Sequence, residues 1–497
     1  MRAFGSPPRQ ILALASLVVA LAAGISCGAP SDSEEFSAAT GGEAETTALS
    51  AILSDYFDAA EYAGRRTRLA AETDAGVVLL FGSKDPMDAW DERRFDPYFR
   101  LREFKQTEDV IYLTGVEEAG AVVLLQGDEG VSVLLPDAAN NAEALDRLAA
   151  LGISDVQPLS SLEDRLEAAV EGGLPLFMMQ RERAEGGVGF GTGEKFSDLL
   201  PSLTAGTMPE DLVADRIRRR YRGTEVLNLL PALRRTWKAK SPAEIRLMRD
   251  VAQISVAGLI EGLRHVRPGV ADREVASRIE GEMRRKGAQR LAYAANIQSG
   301  PNLQKSFVQL FRDYDGGNRI MQTGEVVLID HSAEFNYHIS DIARTVPVDG
   351  TFSPEYRALY ELYLVAYWAA LDAIRPGNTW IEVGNAASDA VTDQLDSIEE
   401  DWLLKSATTF VERYGQPTGG PGHFLGTNIS IHNDRTSPLV PGQIMAFEMV
   451  LTAPEFGLRV TLEDVVAVTE DGHDVLSAGL PTTVDEVEEL VGSAYRE

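Results

Sequence analysis

Cysteine is nearly absent. The 497-residue chain has one, Cys27, so no disulfide can form within it. Histidine is scarce too. The six present, His265, His331, His338, His423, His432 and His473, are the whole supply of imidazoles for a metal or proton-transfer site. Positive charge is in deficit: 46 Lys and Arg stand against 76 Asp and Glu, a net charge of -30. A surface so negative repels phosphate, which argues against a nucleic-acid partner. No acidic run is long enough to be a separate tail. Long apolar runs are missing after Ala23, so no later segment is expected to span a membrane.

What is present begins with a targeting segment. Arg2 and Arg9 precede an apolar and small-residue stretch from Ile11 to Ala23. That stretch is short of the roughly 20 residues a bilayer span needs, and the layout is that of a secretory signal peptide. Gly24-Ile25-Ser26-Cys27 resembles a bacterial lipoprotein cleavage site, where the cysteine becomes lipidated, although Gly24 stands where leucine is usual. The resemblance implies export to the periplasm or cell envelope, with membrane contact only through a lipid anchor at Cys27; two or more chains would hold it stably. Residues 1–27 are therefore read as a signal peptide of lipoprotein type. Residues 28–46, rich in Gly, Ala, Ser, Thr and Glu, are read as a flexible tether. The remaining length suggests two or three domains, and 44% hydrophobic with 25% charged residues is ordinary for a globular chain.

Residues 47–238 read as an α/β domain. Gly76–Phe81, Gly120–Leu125 and Gly130–Leu135 are short apolar runs bounded by turn residues, as buried strands are, the last two in hairpin relation. Helical patterns cover Ala142 to Leu151 and Ser161 to Gly172. No cluster of His, Cys or paired acids points to chemistry here, which leaves a structural or oligomer-forming role. A second domain, 239–497, opens at Ser241-Pro242-Ala243-Glu244. Ser241 is a candidate N-cap, Pro242 sits in the first turn and Glu244 lies three residues past the cap, launching a helix to about His265.

This second domain contains a repeat. Arg267-Pro268-Gly269 and Arg375-Pro376-Gly377 are each followed, after four residues, by Glu-Val, and each is expected to be a turn that launches a helix. Gly324 to Asp330 parallels Gly442 to Glu448: a glycine turn, a buried strand and a carboxylate at its end. The offsets, 108 and 118 residues, are what an old tandem duplication with a ten-residue length difference leaves behind.

A carboxylate closing a buried strand is costly unless it is paired, protonated or bound to a cation. Here that occurs twice, at equivalent positions. Each has a second acid downstream: Asp341, 11 residues after Asp330, and Glu463, 15 residues after Glu448. Each half is thus expected to be a hairpin with one acid per strand. Two such hairpins facing across a pseudo-twofold axis would bring four carboxylates together, which cannot all stay ionised without cations. Oxygen donors suit manganese, magnesium or calcium, and an imidazole shifts the choice toward manganese, iron, cobalt or zinc. His423 and His432 lie in and after a glycine-rich stretch, Gly419 to Gly426, that permits close approach. Strand alternation points His331 and His338 away from the acids, and Arg344 is expected to steady a carboxylate.

Asp330, Asp341, His423, Glu448 and Glu463, in that order, resemble the five ligands of the pita-bread metallopeptidases, and among these aminopeptidase P, the Xaa-Pro aminopeptidase. Val327–Asp330, Asp341–Thr345, Gly422–Gly426 with Ile431–Asp434, and Leu462–Asp464 are similar to its ligand segments; Phe104–Leu125 is similar to its N-terminal domain. The resemblance implies a fold of an N-terminal α/β domain and a pita-bread catalytic domain with an internal pseudo-twofold repeat. It also implies a dinuclear-metal aminopeptidase, most often using manganese. Such an enzyme removes the residue before a proline by attack of a metal-bridging hydroxide. In that scheme Asp330 chelates one metal, and Asp341 and Glu463 bridge both. His423 and Glu448 complete the second metal site, Glu448 also takes the water's proton, and His432 stabilises the tetrahedral intermediate or serves the leaving amine.

The chain departs from that family around the metal. Gly419 stands where a further histidine is usual, no histidine precedes the first ligand strand between residues 299 and 322, and Thr461 replaces an arginine, with Arg459 two residues earlier. Two alternatives therefore stay open: a prolidase-type dipeptidase or other amidohydrolase, and a catalytically impaired peptide-binding relative. Peptides are the expected partners, and a homo-oligomer is compatible with this reading.

Overall fold

The computed structural model describes residues 53–74, 76–83, 104–127, 130–136, 141–180, 209–305, 309–310, 318–416, 420–427 and 435–496. The expected signal peptide and tether, Cys27, Gly419 and His432 lie outside them. No helix among the described residues is long and apolar enough to cross a membrane.

Among the described residues, the first sheet has six strands. They are β1 (Val77–Phe81), β2 (Val122–Gln126), β3 (Gly130–Leu135), β4 (Asp155–Pro158), β5 (Leu176–Met178) and β6 (Val226–Asn228), in the spatial order β4-β3-β2-β1-β5-β6. The expected hairpin is β2–β3, paired antiparallel from Val122↔Leu134 to Gln126↔Gly130. The apolar runs are continuous because both faces are covered. Val78 and Leu80 join one core with Leu69 of helix α1 (Ala59–Glu72), while Val77 and Leu79 join another with Leu166 and Ile217.

The second sheet is built from β7 (Arg290–Ser299), β8 (Val326–Phe335), β9 (His338–Ile339), β10 (Ile342–Pro347), β11 (Gly422–Phe424) and β12 (Ile444–Glu448). A ribbon of β13 (Leu451–Ala453) and β14 (Leu458–Val460) follows, and then β15 (Leu462–Val468) and β16 (His473–Val475) complete the sheet. Its order is β11-β12-β15-β10-β8-β7, with β16 on β15 and β9 on β8. Helix α2 (Pro242–Arg264) starts as its sequence demands. Ser241 Oγ accepts the Glu244 N–H at 3.1 Å, and the Glu244 carboxylate accepts the Ser241 N–H at 3.2 Å.

The repeat is visible in the backbone. Gly269 and Gly377 sit at φ 86° and 92°, and Gly324 and Gly442 at 80° and 86°, left-handed positions that favour glycine. Gly269 N–H donates to Met321 O at 2.9 Å and Gly377 N–H to Leu439 O at 3.0 Å. The turns launch α3 (Asp272–Arg285) and, after α4 (Pro354–Ala373), α5 (Trp380–Thr392); α6 (Asp401–Tyr414) follows. Isolated bridges pair Ala271 with Ile320 and Thr379 with Pro438, at the same 108- and 118-residue offsets.

One face of the sheet packs on helices. Ser255 of α2 holds β8: its Oγ accepts the Ala333 N–H at 2.9 Å and its carbonyl meets His331 Nε2 at 3.0 Å. Tyr363 and Tyr367 of α4 hold β15, through Leu462 O at 3.1 Å and Asp464 Oδ2 at 2.7 Å. At the centre, Arg344 of β10 grips Asp464 of β15 with both carboxylate oxygens at 3.0 Å, and its other nitrogens reach Glu463 O and Pro481 O. Both side chains are buried. Arg344 therefore steadies a carboxylate, as expected. Removing one partner of such a pair leaves a bare buried charge, so Arg344→Met should lower unfolding stability by about 3–5 kcal/mol. The double variant Arg344→Met/Asp464→Leu should recover most of that loss in urea titrations.

Candidate metal centre

The register places the acids. Glu448 of β12 pairs with Glu463 of β15, Glu463 with Ala343 of β10, Ala343 with Asp330 of β8, and Asp330 with Asn296 of β7. Residues paired across adjacent strands project to the same face, so Glu448, Glu463, Asp330 and Asn296 form one row. Asp341 lies two residues before Ala343 and shares its face. His423 pairs with Ala446, two before Glu448, and shares that face too. The His423 Nε2 is 3.3 Å from Asp341 Oδ2 and 4.0 Å from Glu463 Oε1. Asp341, His423 and Glu463 each offer a ligand atom within 4.8 Å of the others, a group that could hold a metal ion.

Two local expectations need correcting. Asp330 does not end its strand: β8 continues to Phe335, because Ser332 and Glu334 keep the alternation going and Glu334 is neutralised by Lys105 at 2.7 Å. Nor does Asp341 sit on a strand of a simple hairpin. The chain turns at Asn336–Tyr337, forms the short β9 and breaks at Ser340–Asp341 before β10. That break is held in place: Ser332 Oγ donates to Ser340 O at 2.6 Å, and Ser255 and Ser340 hydroxyls meet at 2.6 Å.

The electrostatics are those of crowded anions. Burial, then Asp341, Glu448 and Asp330, push Glu463 well above the usual carboxylate range. Burial and Asp341 raise Asp330 to about 7. Burial raises Glu448, with the charge of His423 opposing and that of Asp341 adding. Burial alone would lower His423, but the hydrogen bond and charge of Asp341 outweigh it and raise it. Four carboxylates and an imidazole, packed where protons must replace missing charge, form a donor set that suits a divalent cation.

His331 and His338 take the other face, as alternation requires. His331 is fully buried against α2, and burial lowers it to about 4. His265 caps α2 and packs edge-on to Tyr495, away from the acids.

The comparisons with known proteins agree with this geometry. Residues 246–470 match metallopeptidase family M24. Across 453 residues the chain is 24% identical to the mitochondrial intermediate cleaving peptidase 55 of Arabidopsis thaliana, covering 87% of this chain and 83% of that protein. It is 29% identical over 284 residues to the Xaa-Pro aminopeptidase of Haemophilus influenzae, covering 54% of this chain and 64% of that one. Among solved structures, Pseudomonas aeruginosa aminopeptidase PepP aligns with a TM-score of 0.66 and 26% identity, over 89% of this chain and 99% of that. Escherichia coli aminopeptidase P aligns at 0.68 and 22%, over 89% and 100%. The chain is thus a metal-dependent peptidase with a pita-bread fold and an N-terminal α/β domain, as the sequence leads one to expect.

Within this domain, several groups escaped the sequence reading. Tyr293 Oη donates to Asp330 Oδ1 at 2.5 Å and also contacts Asp341 Oδ1. Asn296 Nδ2 donates to Asp330 Oδ2 at 3.2 Å, and Gln298 holds Asn296 in turn at 3.1 Å. Register shifts in β7 between Leu291 and Tyr293, and between Tyr293 and Asn296, bring both side chains to the row and destroy the period-2 pattern. The available signal was polar Asn296, Gln298 and Ser299 in a strand otherwise made to be buried. Arg459 of β14 adds a charge that acts on Glu448 and then Asp330, while its Nε donates to Thr461 Oγ1 at 3.1 Å.

Groups that hold ligand carboxylates tune metal affinity. Tyr293→Phe should weaken divalent-metal binding roughly 10- to 100-fold, read by calorimetric titration of metal-stripped protein. Wild-type affinity in the variant would remove Tyr293 from this role.

Proposed function

We propose that this peptidase is an aminopeptidase that removes the N-terminal residue from peptides with proline second, working with two divalent ions, manganese by preference. The observation that carries the proposal is the row Glu448–Glu463–Asp330 with Asp341 and His423 on the same face. The relatives named as Xaa-Pro aminopeptidases support the substrate class.

Asp330 would hold one ion, Asp341 and Glu463 both, and His423 and Glu448 the other. When bound, two such ions polarise the scissile carbonyl and make a shared water a nucleophile at neutral pH. The protein's own groups do the rest. Glu448 lies at the end of β12, half-buried, with a carboxylate already pushed toward accepting a proton; it takes the proton of the attacking water and returns it to the leaving amine. Tyr293 and Asn296 fix Asp330, and the break at Ser340–Asp341 aims Asp341 across the row. His432 is proposed as the donor to the developing oxyanion.

One observation favours the dipeptidase alternative. Arg459, half-buried beside Glu448, is a cation suited to the free carboxylate of a short substrate. Chain length separates the two: an aminopeptidase cleaves Xaa-Pro tripeptides and longer peptides, whereas a dipeptidase stops at Xaa-Pro dipeptides.

The deciding experiment is hydrolysis of such a panel with manganese, wild type against Asp341→Ala. The variant should lose at least about a hundredfold in rate, by the usual cost of removing a charge-stabilising group from a site. Equal rates would refute the site assignment, and a protein that neither holds metal nor responds to manganese would sink both enzyme readings. Export and lipidation at Cys27 are proposed alongside. The mature N-terminus should begin at Cys27 and carry acyl mass, and an intact Met1 terminus in its native host would exclude both.

A further inference from the structure

Residues 104–118 carry no catalytic group, yet they touch the strand pair that bears the metal donors. Glu334 lies on the same face of β8 as Asp330, four residues on, and is 3% exposed. Its carboxylate is held by Lys105 Nζ at 2.7 Å and by Arg290 Nη1 at 3.4 Å, and Arg290 in turn donates to Phe104 O at 2.5 Å. Two residues further, the β8–β9 turn is formed by Asn336 at φ 48° and Tyr337 at φ 65°. A two-residue hairpin turn with both φ positive favours Asn-Gly. A tyrosine in the second place persists only where its surroundings impose it. Here they do: the Tyr337 ring is buried, and its hydroxyl donates to Glu117 Oε1 at 2.9 Å.

The strand after this turn leads to two donors. The Ile339 N–H donates to Gly426 O at 3.0 Å, three residues beyond His423, and Asp341 follows two residues after Ile339. A shift of the turn therefore moves Asp341 directly and the His423 segment through Gly426. We propose that Lys105 and Glu117 are positioning residues for the metal centre: by holding Glu334 and Tyr337 they set the β8–β9 turn, and through it the approach of Asp341 to His423. This gives the first sheet's domain a role in the chemistry of the second, and it rests on Asp341 and His423 being ligands.

The test is cobalt(II) binding to the metal-stripped full-length protein, followed by calorimetry and by the visible absorption of the bound ion, which reports ligand geometry. Lys105→Met/Glu117→Gln and, separately, Tyr337→Phe should bind about tenfold more weakly, as lost outer contacts to ligand groups do. Both should show an altered cobalt spectrum, while the thermal midpoint of the metal-free protein stays that of Lys405→Met, a control that breaks the exposed Lys405–Glu455 pair. Lys105→Arg should restore affinity to Lys105→Met. Wild-type affinity and spectrum in both altered proteins would overturn the proposal, as would losses that merely track a lowered midpoint. Asp341→Asn separates the two layers: if it binds cobalt normally, the ligand assignment fails; if it does not bind while the clamp variants keep wild-type affinity and spectrum, only the clamp fails.

Discussion

Four carboxylates crowd one face of a single sheet, three of them in one row with Asp341 two residues off it, and their mutual repulsion is the constraint that the rest of the domain answers. The row cannot ionise fully in a buried setting without compensating charge. The protein supplies little of its own. Tyr293 and Asn296 donate neutral hydrogen bonds, His423 is one imidazole, and the charges of Arg459 and Arg413 reach Glu448. The opposite face of the same strands is treated differently. There Arg344 fully pairs Asp464, with Tyr367 and Ser477 completing the carboxylate's bonds. The contrast between an acid paired with a cation and its neighbour Glu463, crowded by Asp341, Glu448 and Asp330, is what distinguishes a structural ion pair from a cation site.

Duplication makes such a row attainable. The sheet reads almost as a palindrome: β7 and β11 at the edges, β8 and β12 inside them, β10 and β15 at the centre. Each half is backed by its own helix pair, α2 with α3 and α4 with α5. Once a half places an acid on its second strand, its copy places another on the facing strand, and the central pairing Ala343↔Glu463 aligns them. The halves then diverge where function asks for different donors. The edge strand of one half brings Tyr293 and Asn296, which hold a carboxylate; the edge strand of the other brings His423, which offers nitrogen.

This divergence explains what could and could not be read from the sequence. Asp330, Glu448 and the repeat were legible because β8 and β12 obey simple rules: a glycine at positive φ, an apolar run, a carboxylate. The helix start at Ser241–Glu244 was legible because its capping box is local. Tyr293 was not, because two register shifts in β7 erase the alternation that would have marked its face. The strand end expected at Asp330 was misplaced because β8 runs on to Phe335, its further acid Glu334 neutralised by Lys105, 229 residues away in sequence. Arg459 sits in a ribbon whose approach to Glu448 depends on tertiary packing. Local chemistry announced the row itself, and long-range contacts determine its surroundings.

Those surroundings bear on substrate choice more than the row does. Thr461 stands in line with the sheet, and its hydroxyl is occupied by Arg459 Nε; it also ties to β10, where its N–H donates to Thr345 Oγ1 at 3.0 Å. An arginine at 461 itself would project from a position closed by that packing, whereas one at 459 projects from the ribbon beside Glu448. The positive charge of Arg459 thereby acts on Glu448 and Asp330. A guanidinium that is half-buried and bonded at Nε is oriented, and an oriented guanidinium recognises a planar oxygen pair better than a point charge does. In the proposed reading the row holds the metal and serves the hydrolytic step. The ribbon, with Arg459 at its edge, is the part of this chain's site whose chemistry differs most from the pattern its ligands follow, so differences in substrate length or end group should originate there.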